Sequence, residues 1–235
     1  MYSRKIRGFS AYLFGLMMLT ATCTTFAEQT AMQSDDSELS ALTAKWWQWA
    51  LSVPTSVNPL EDATGVNCMV GQRGAVWFLA GSFFGGTAAR SCAVPQGTAL
   101  FFPVVNAVQI NTPNICGQQG ALSISTLRAM AATFIDGTSG LSVSLDNKPV
   151  TALLRIKSVV FGTDLPSDNV FDAFCGGANS VPANIYSPSV DDGIYVLLEP
   201  LKVGQHSLHI HAENPSQNFV EDVTYVLSVI RITTD

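Results

Sequence analysis

The segment His209-Ile210-His211-Ala212-Glu213 is the most suggestive pattern for chemistry in the sequence. Because alternate side chains of a β-strand share a face, His209, His211 and Glu213 are expected to point the same way. Two imidazoles and one carboxylate suit Zn²⁺, Mn²⁺ or Fe²⁺, and such a metal with a free coordination position activates water. The pattern therefore allows the hypothesis of a metal-dependent enzyme that uses these three residues.

The apolar residues within this strand support a different interpretation, which we favour. Leu208, Ile210 and Ala212 are expected to face the core, which leaves the two histidines and Glu213 as the solvated side of an amphipathic strand. The His-x-His pair is similar to that of cupins and of carbonic anhydrase, but Glu213 follows sooner than the acidic ligand of cupins. His206 has the opposite parity and is expected to be a hydrogen-bonded structural residue. On this interpretation no cofactor is predicted.

A second candidate site is aromatic. Trp46 and Trp49 fall on the apolar stripe of a predicted N-terminal helix, whereas Trp47 lies off that stripe and is expected to be exposed. Exposed tryptophans stack on sugar rings, so Trp47 is a candidate ligand-binding residue of a carbohydrate-binding protein. The alternative is that all three tryptophans pack the helix onto a sheet.

Adjacent carboxylates occur at three places and raise the question of a glycosidase: Glu61-Asp62, Asp191-Asp192 and Glu221-Asp222. Neighbouring residues on a strand point to opposite faces, so none of these pairs supplies an acid and a base at one site. We expect these residues in turns and on the solvated surface. The sequence contains no serine-nucleophile elbow, Walker loop or dinucleotide loop.

The first residues have the pattern of an export signal, assigned to residues 1–27. A basic stretch over residues 4–7 precedes an apolar run over residues 9–19, and Ala27 offers a cleavage site. The run is too short to span a membrane, so no transmembrane segment is expected after cleavage. Residues 28–36 are polar and are expected to form a disordered linker. The sequence thus predicts a secreted or periplasmic protein.

Charge and length limit what the exported chain does. Three of the 12 basic residues lie in the signal and all 18 acidic residues lie beyond it, so the cleaved chain has nine basic and 18 acidic side chains, a charge of −9. Nucleic-acid binding needs clustered Lys and Arg, and none is present, so nucleic acid is not an expected partner. The length suits one domain, assigned to residues 37–235.

Cysteine usage agrees with export, because cleavage removes Cys23 and leaves Cys68, Cys92, Cys116 and Cys175. Four cysteines allow three connectivities. We favour Cys68 with Cys92, which bracket a predicted hairpin, and Cys116 with Cys175, which join two loops rich in glycine and asparagine. The competing interpretation is a metal site or a reactive thiol, but no Cys-x-x-Cys spacing supports it, and an oxidising compartment favours disulfides.

Periodicity predicts a mainly β protein with two helices. Apolar residues at spacings of three and four predict an N-terminal helix over 37–53 and an internal helix over about 125–135. Strands are predicted at 75–79, 90–94, 99–105, 141–145, 150–161, 194–198, 206–212 and 220–232, with a hairpin around Gly85-Gly86, a long loop over 162–190 and a C-terminal meander. The expected fold is an antiparallel β-sandwich or jelly-roll-like body with an N-terminal helix and one internal helix.

Several stretches across the cleaved chain resemble an uncharacterised family of exported bacterial proteins. They are Trp46-Trp47-Gln48-Trp49, Asn58-Pro59, Asp62-Ala63-Thr64-Gly65, Asn67-Cys68, Val76-Trp77-Phe78-Leu79-Ala80-Gly81, Arg90-Ser91-Cys92-Ala93-Val94-Pro95, Phe101-Phe102-Pro103, Gly204-Gln205-His206 and Asp222-Val223-Thr224-Tyr225. The resemblance implies export and a single domain, and it implies no catalytic residue.

Three functional hypotheses follow. The leading one is an exported, non-catalytic β-sandwich that binds a small molecule, a glycan or an envelope protein. The second is the metal-dependent enzyme with a divalent transition metal at His209, His211 and Glu213. The third is a structural surface protein.

Overall fold

The computed structural model describes residues 35–231, so the expected signal peptide and most of the expected linker lie outside the described residues. The protein is mainly β, with two five-stranded sheets packed together and three helices. The helices are α1 (Asp36–Ser52), α2 (Ile124–Asp136) and α3 (Asp172–Cys175), with 3₁₀ turns at Thr55–Val57 and Pro215–Gln217. The strands are β1 (Val76–Phe78), β2 (Gly86–Pro95), β3 (Ala99–Ile110), β4 (Ser139–Leu145), β5 (Lys148–Pro149), β6 (Leu154–Lys157), β7 (Phe161–Leu165), β8 (Asn184–Leu198), β9 (Gly204–Asn214) and β10 (Phe219–Ile230).

The first sheet has the order β1-β3-β8-β6, and β7 also pairs with β8. The long strand β8 pairs with β7 along its first half and with β6 along its second half. The second sheet has the order β2-β10-β9-β4-β5. Every pairing is antiparallel except β1 with β3 and β2 with β10, which are parallel.

The core has two apolar layers, one on each face of the first sheet. Phe102 and Val104 of β3 join residues of the second sheet in one layer, whereas Phe101 of β3 packs with α1 in the other. A strand buried on both faces needs a near-continuous apolar sequence, which β3 has over its first seven residues. The first sheet is thus covered by the second sheet on one face and by α1 on the other.

Both helices predicted from periodicity are present, with ends shifted by one residue. The Asp35 carboxylate caps α1 by accepting a hydrogen bond from the Ser37 N–H at 3.3 Å, and Pro54 follows the helix. Ser123 caps α2 through the Thr126 N–H at 3.1 Å, and Gly137 ends it.

The predicted hairpin around Gly85-Gly86 is wrong, because β1 and β2 belong to different sheets. The chain crosses between the sheets over residues 79–85, and each of the two strands then joins its sheet in a parallel pairing. The sheets are therefore mixed rather than purely antiparallel. The prediction of a C-terminal meander is also wrong in part. The strands β9 and β10 do pair with each other, but β8 lies in the first sheet.

The predicted loop over 162–190 is too long. β7 continues to Leu165, and β8 begins at Asn184, ten residues before the predicted start at 194. The middle of β8 contains Ser189, Asp191 and Asp192, and polar residues of this kind favour a loop over a strand in a prediction from sequence. These polar side chains are buried and hydrogen-bonded, and this tertiary satisfaction overrides their low strand propensity.

Two disulfides join Cys68 to Cys92 and Cys116 to Cys175, the pairing that the sequence favoured. They indicate an oxidising environment outside the cytoplasm. Within residues 35–231, no helix combines the length and apolarity needed to cross a membrane.

Candidate ligand-binding pocket

A pocket of about 980 Å³ opens where α1, α2, the 79–85 crossing, the end of β3 and the start of β10 come together. We call it the aromatic pocket, because eight of its lining residues are Trp or Phe. The Cys116–Cys175 disulfide forms part of its wall and ties the loop after β3 to the end of α3. The wall is thus assembled from segments distant in sequence.

The aromatic rings form pairs around the pocket. The Trp46 and Trp47 rings meet edge to face with centroids 4.9 Å apart, and the Phe134 and Phe219 rings do so at 5.5 Å. A third pair, Phe83 with Phe171, has its centroids 5.3 Å apart. The four phenylalanine rings are partly buried and line the pocket with apolar surface, whereas Trp46 and Trp47 are at most 3% exposed and lie behind it.

Two further phenylalanines lie exposed at the rim. The side chains of Phe84 and Phe174 are 53% and 72% exposed, and their ring centroids are 6.5 Å apart. Large apolar side chains that remain in water beside a pocket are typical of ligand-binding grooves. The rim therefore extends the apolar lining out to solvent.

The expected exposure of Trp47 is wrong. Its side chain is only 3% exposed, because α1 is buried along a broad face and not along one narrow stripe. The indole N–H groups of the three tryptophans reach three separate segments: Trp46 donates to the Leu79 carbonyl at 3.0 Å, Trp47 to Asp191 Oδ1 at 2.7 Å and Trp49 to the Val70 carbonyl at 2.8 Å. All three pack the helix onto the protein, and Trp47 contributes to the inner wall of the aromatic pocket.

Trp47 belongs to a buried hydrogen-bond chain that ends at the pocket wall. Asp191 accepts from Trp47 at one oxygen and from the Tyr195 hydroxyl at the other, at 2.9 Å. The Tyr195 hydroxyl in turn accepts from the amide of Asn106, a pocket-lining residue, at 2.9 Å. Burial raises the pKa of Asp191 well above its usual range, which the two donated hydrogen bonds only partly offset. The chain positions both Trp47 and Asn106.

Glu221 is the only ionisable side chain among the described residues that line the pocket. It lies on β10 with the same parity as Val223 and Tyr225, so it points inward and is 4% exposed. Its Oε1 accepts from the Ser82 N–H at 3.1 Å and occupies the space that a side chain at Gly81 would need. Burial raises the pKa of Glu221 to about 8, against the smaller lowering effects of Ser82 and Arg90.

Arg90 organises the crossing segment behind Glu221. Its guanidinium donates to the Ala80 and Gly81 carbonyls and to the Asp62 carbonyl, and it lies 5.5 Å from the centroid of the Tyr225 ring. Arg90 and Glu221, both inside the described range, do not form an ion pair, and Arg90 does not line the pocket. The guanidinium thus donates to backbone carbonyls and to the Tyr225 hydroxyl rather than to the Glu221 carboxyl.

The candidate metal ligands lie elsewhere, on the outer face of the second sheet. His209, His211 and Glu213 share a face while the residues between them are buried, which confirms the predicted parity. Asp222 on β10 hydrogen-bonds both rings, His209 Nε2 at 3.1 Å and His211 Nδ1 at 3.1 Å, and Glu213 Oε1 is 3.2 Å from His211 Nε2. Among residues 35–231, no group of three His, Cys, Asp or Glu side chains is arranged to hold a metal ion.

His206 is hydrogen-bonded, as expected from its parity. Nδ1 is 2.8 Å from Asp146 Oδ2, and Nε2 is 2.8 Å from the Lys202 carbonyl. Partial burial disfavours the imidazolium, but the hydrogen bonds to Asp146 and Lys202 outweigh it and raise the pKa of His206.

The expectation that the paired carboxylates lie in turns or on the surface is wrong for Asp191, Asp192 and Glu221, which are all buried in strands. Asp192 is held by Arg155 through two hydrogen bonds of 3.0 and 2.9 Å. Glu221 could have been found from the sequence, because it shares parity with the apolar residues of a strand that the sequence did predict. The pocket itself leaves no local sequence signal, since its walls come from distant segments.

No protein-family model, curated protein or solved structure matches the chain. The resemblance to an uncharacterised exported family therefore stays an expectation. What this chain binds has to be argued from the geometry of the aromatic pocket.

Proposed function

We propose that the protein binds a small, largely apolar ligand in the aromatic pocket. The observation that carries this proposal is the pocket itself, which has a volume of about 980 Å³ and eight aromatic lining residues. Small-molecule sites in proteins have volumes of about 300–1,000 Å³ and combine apolar walls with a few polar groups. Asn106 and Glu221 are such polar groups.

The composition of the pocket supports binding over catalysis. Proton-transfer catalysis between an acid and a base needs two ionisable groups at one site, and the described lining offers Glu221 alone. A sugar stacked on Trp47 is not favoured either, because a side chain that is 3% exposed has no open ring face at the surface. The ligand class we favour is therefore an aromatic or alicyclic small molecule.

We also propose that the protein works as a secreted or periplasmic protein. The two disulfides support this location, because such bonds persist in oxidising compartments. The expected signal over residues 1–27 is consistent with it. Sequencing the N-terminus of the protein recovered outside the cytoplasm tests this part, and cleavage near Ala27 is the expected result.

Binding is tested with N-phenyl-1-naphthylamine, an uncharged probe whose fluorescence rises in apolar surroundings. We expect a saturable increase with one site per chain. The variant Ala107→Phe adds a ring to the pocket wall and should reduce the affinity at least about tenfold. The control Ala129→Phe makes the same change at an exposed position of α2 outside the pocket and should bind as the parent does. Equal loss in both variants, or no saturable binding, contradicts the proposal.

A further inference from the structure

Glu221 has one oxygen in use and one unused. Oε1 accepts the hydrogen bond from the Ser82 N–H at 3.1 Å. For Oε2, no donor or acceptor among the described residues forms a hydrogen bond or an ion pair with it. The side chain is 96% buried, yet Oε2 is not among the fully enclosed side-chain atoms that lack a partner within the described residues, Thr55 Oγ1 and Trp77 Nε1, and Glu221 lines the aromatic pocket. The unused oxygen therefore faces the position of a ligand.

The surroundings of this carboxyl favour its neutral form. It lies among apolar and aromatic side chains, and a charge there loses its hydration without gaining an ion-pair partner. Arg90, which interacts electrostatically with the carboxyl, donates its hydrogen bonds to the Ala80, Gly81 and Asp62 carbonyls and to the Tyr225 hydroxyl. A neutral carboxyl whose Oε1 is an acceptor carries its hydrogen on Oε2, which makes Oε2 a donor.

We infer that Glu221 sets the chemical class of the ligand, by donating a hydrogen bond from Oε2 to an acceptor oxygen, such as a ketone carbonyl, on an uncharged ring compound. This inference rests on the proposed binding function of the aromatic pocket. Glu221 is then a specificity-determining residue and the aromatic rings supply the remaining contact area.

Charged ligands fit this arrangement less well. An anion finds no Lys, Arg or His among the described residues that line the pocket. A cation approaching Glu221 would also approach the guanidinium of Arg90, which interacts electrostatically with the same carboxyl. Both kinds of ligand would have to give up hydration without an unopposed partner of opposite charge.

Four naphthalenes that share one ring system test the inference. They are 2-acetylnaphthalene, an uncharged acceptor; 2-ethylnaphthalene, which replaces the carbonyl by a methylene; 2-naphthoate, an anion; and 2-naphthylmethylamine, a cation. Their dissociation constants are measured by competition with N-phenyl-1-naphthylamine. We expect the ketone to bind about tenfold more tightly than the hydrocarbon, since one hydrogen bond to a buried group contributes about that factor.

Variants at position 221 separate the hydrogen bond from the shape of the pocket. Glu221→Leu should reduce the ratio of ketone to hydrocarbon affinity to about one, while both compounds still bind. Glu221→Gln keeps an N–H donor and should keep the preference. Glu199→Gln, at an exposed position outside the pocket, is the matched control and should leave all four affinities unchanged.

A pH series on the unmodified protein gives a second readout that does not depend on any variant folding. The preference for the ketone should fall as Glu221 ionises and loses its donor, whereas in Glu221→Gln it should stay constant with pH. The charged or titratable groups that interact with Glu221 are Arg90 on β2 and Tyr225 on β10, and burial raises the pKa of Tyr225 above its usual range.

Each outcome decides a different question. If the amine or the naphthoate binds most tightly, or if ketone and hydrocarbon bind equally to the unmodified protein, the inference about Glu221 is overturned and the binding function stands. If none of the four compounds nor the fluorescent probe binds, the proposed function itself fails.

Discussion

Replacing Glu221 by glutamine should stabilise the protein, and the gain should grow with pH. The carboxyl has a pKa of about 8 in the folded protein and a usual value of 4.5 in an unfolded chain, because burial penalises its charged form. Between pH 4.5 and about pH 8 the folded state therefore retains a proton on Glu221 that the unfolded state has lost. The contribution of Glu221 to stability is therefore greatest below pH 4.5 and falls as the pH rises to about 8.

The magnitude follows from the difference between the two pKa values. One pKa unit corresponds to about 1.4 kcal/mol, so a rise from 4.5 to about 8 costs about 5 kcal/mol of unfolding free energy above pH 8. At pH 7 the cost is about 3 kcal/mol by the same arithmetic. Glutamine carries no charge and keeps an acceptor for the Ser82 N–H, so the variant should escape this cost.

Urea denaturation at pH 4.5, 6, 7 and 8.5, with the disulfides intact, measures the effect as the difference in unfolding free energy between Glu221→Gln and the unmodified protein. Other groups titrate in both proteins and largely cancel in that difference. Glu199→Gln makes the same chemical change at an exposed position and should show a difference near zero at every pH. A difference for Glu221→Gln that does not change with pH would refute the reasoning about this buried carboxyl.

Three further predictions concern the supports of the pocket and the second sheet. Trp47→Phe removes the hydrogen bond to buried Asp191 and should lower the unfolding free energy by about 3 kcal/mol in urea, more than Trp49→Phe, whose indole donates to a backbone carbonyl. Replacing Cys116 and Cys175 together by serine opens a loop of 59 residues and should cost about 4 kcal/mol in the same assay, and it should also weaken probe binding. Asp146→Asn removes the carboxylate that raises the pKa of His206, so the imidazole should titrate at lower pH by NMR.

Each of these predictions has a contradicting result. Equal losses of unfolding free energy in Trp47→Phe and Trp49→Phe would show that the hydrogen bond to Asp191 stabilises the protein no more than the one to the Val70 carbonyl. Unchanged stability after removal of the disulfide, or an unchanged pKa of His206 in Asp146→Asn, would contradict the roles assigned to those contacts.

Elements with strong local signals were predictable from the sequence. The helix α1 has apolar periodicity with Asp35 as its cap, and α2 lies between Ser123 and Gly137, so both ends of each helix have a local cause. The alternation of β9 correctly placed His209 and His211 on the outer face. In all these cases the residues that decide the structure are neighbours along the chain.

The pairing of strands was less predictable, because it depends on contacts between distant segments. No local sequence feature indicates that β2 pairs in parallel with β10, 135 residues later in the chain, rather than with β1. The start of β8 was missed because Asp191 and Asp192 resemble turn residues until their partners Trp47, Tyr195 and Arg155 are known.

The candidate site was missed for the same reason. A single apolar stripe along α1 predicts an exposed Trp47, whereas the helix is covered on several sides. The adjacent carboxylate Asp222 suggests a surface position for Glu221, whereas the parity that Glu221 shares with Val223 and Tyr225 places it inside. A polar residue at a strand position that alternates in register with the buried apolar residues is the signal that identifies Glu221.

The most direct test of the binding function is a crystal structure of the protein with 2-acetylnaphthalene. We expect the naphthalene ring within the aromatic pocket, against the partly buried Phe134 and Phe219 rings. We also expect the carbonyl oxygen at about 2.5–3.0 Å from Oε2 of Glu221. A ligand bound elsewhere, or a pocket that contains only water at saturating ligand, would contradict the proposed binding function.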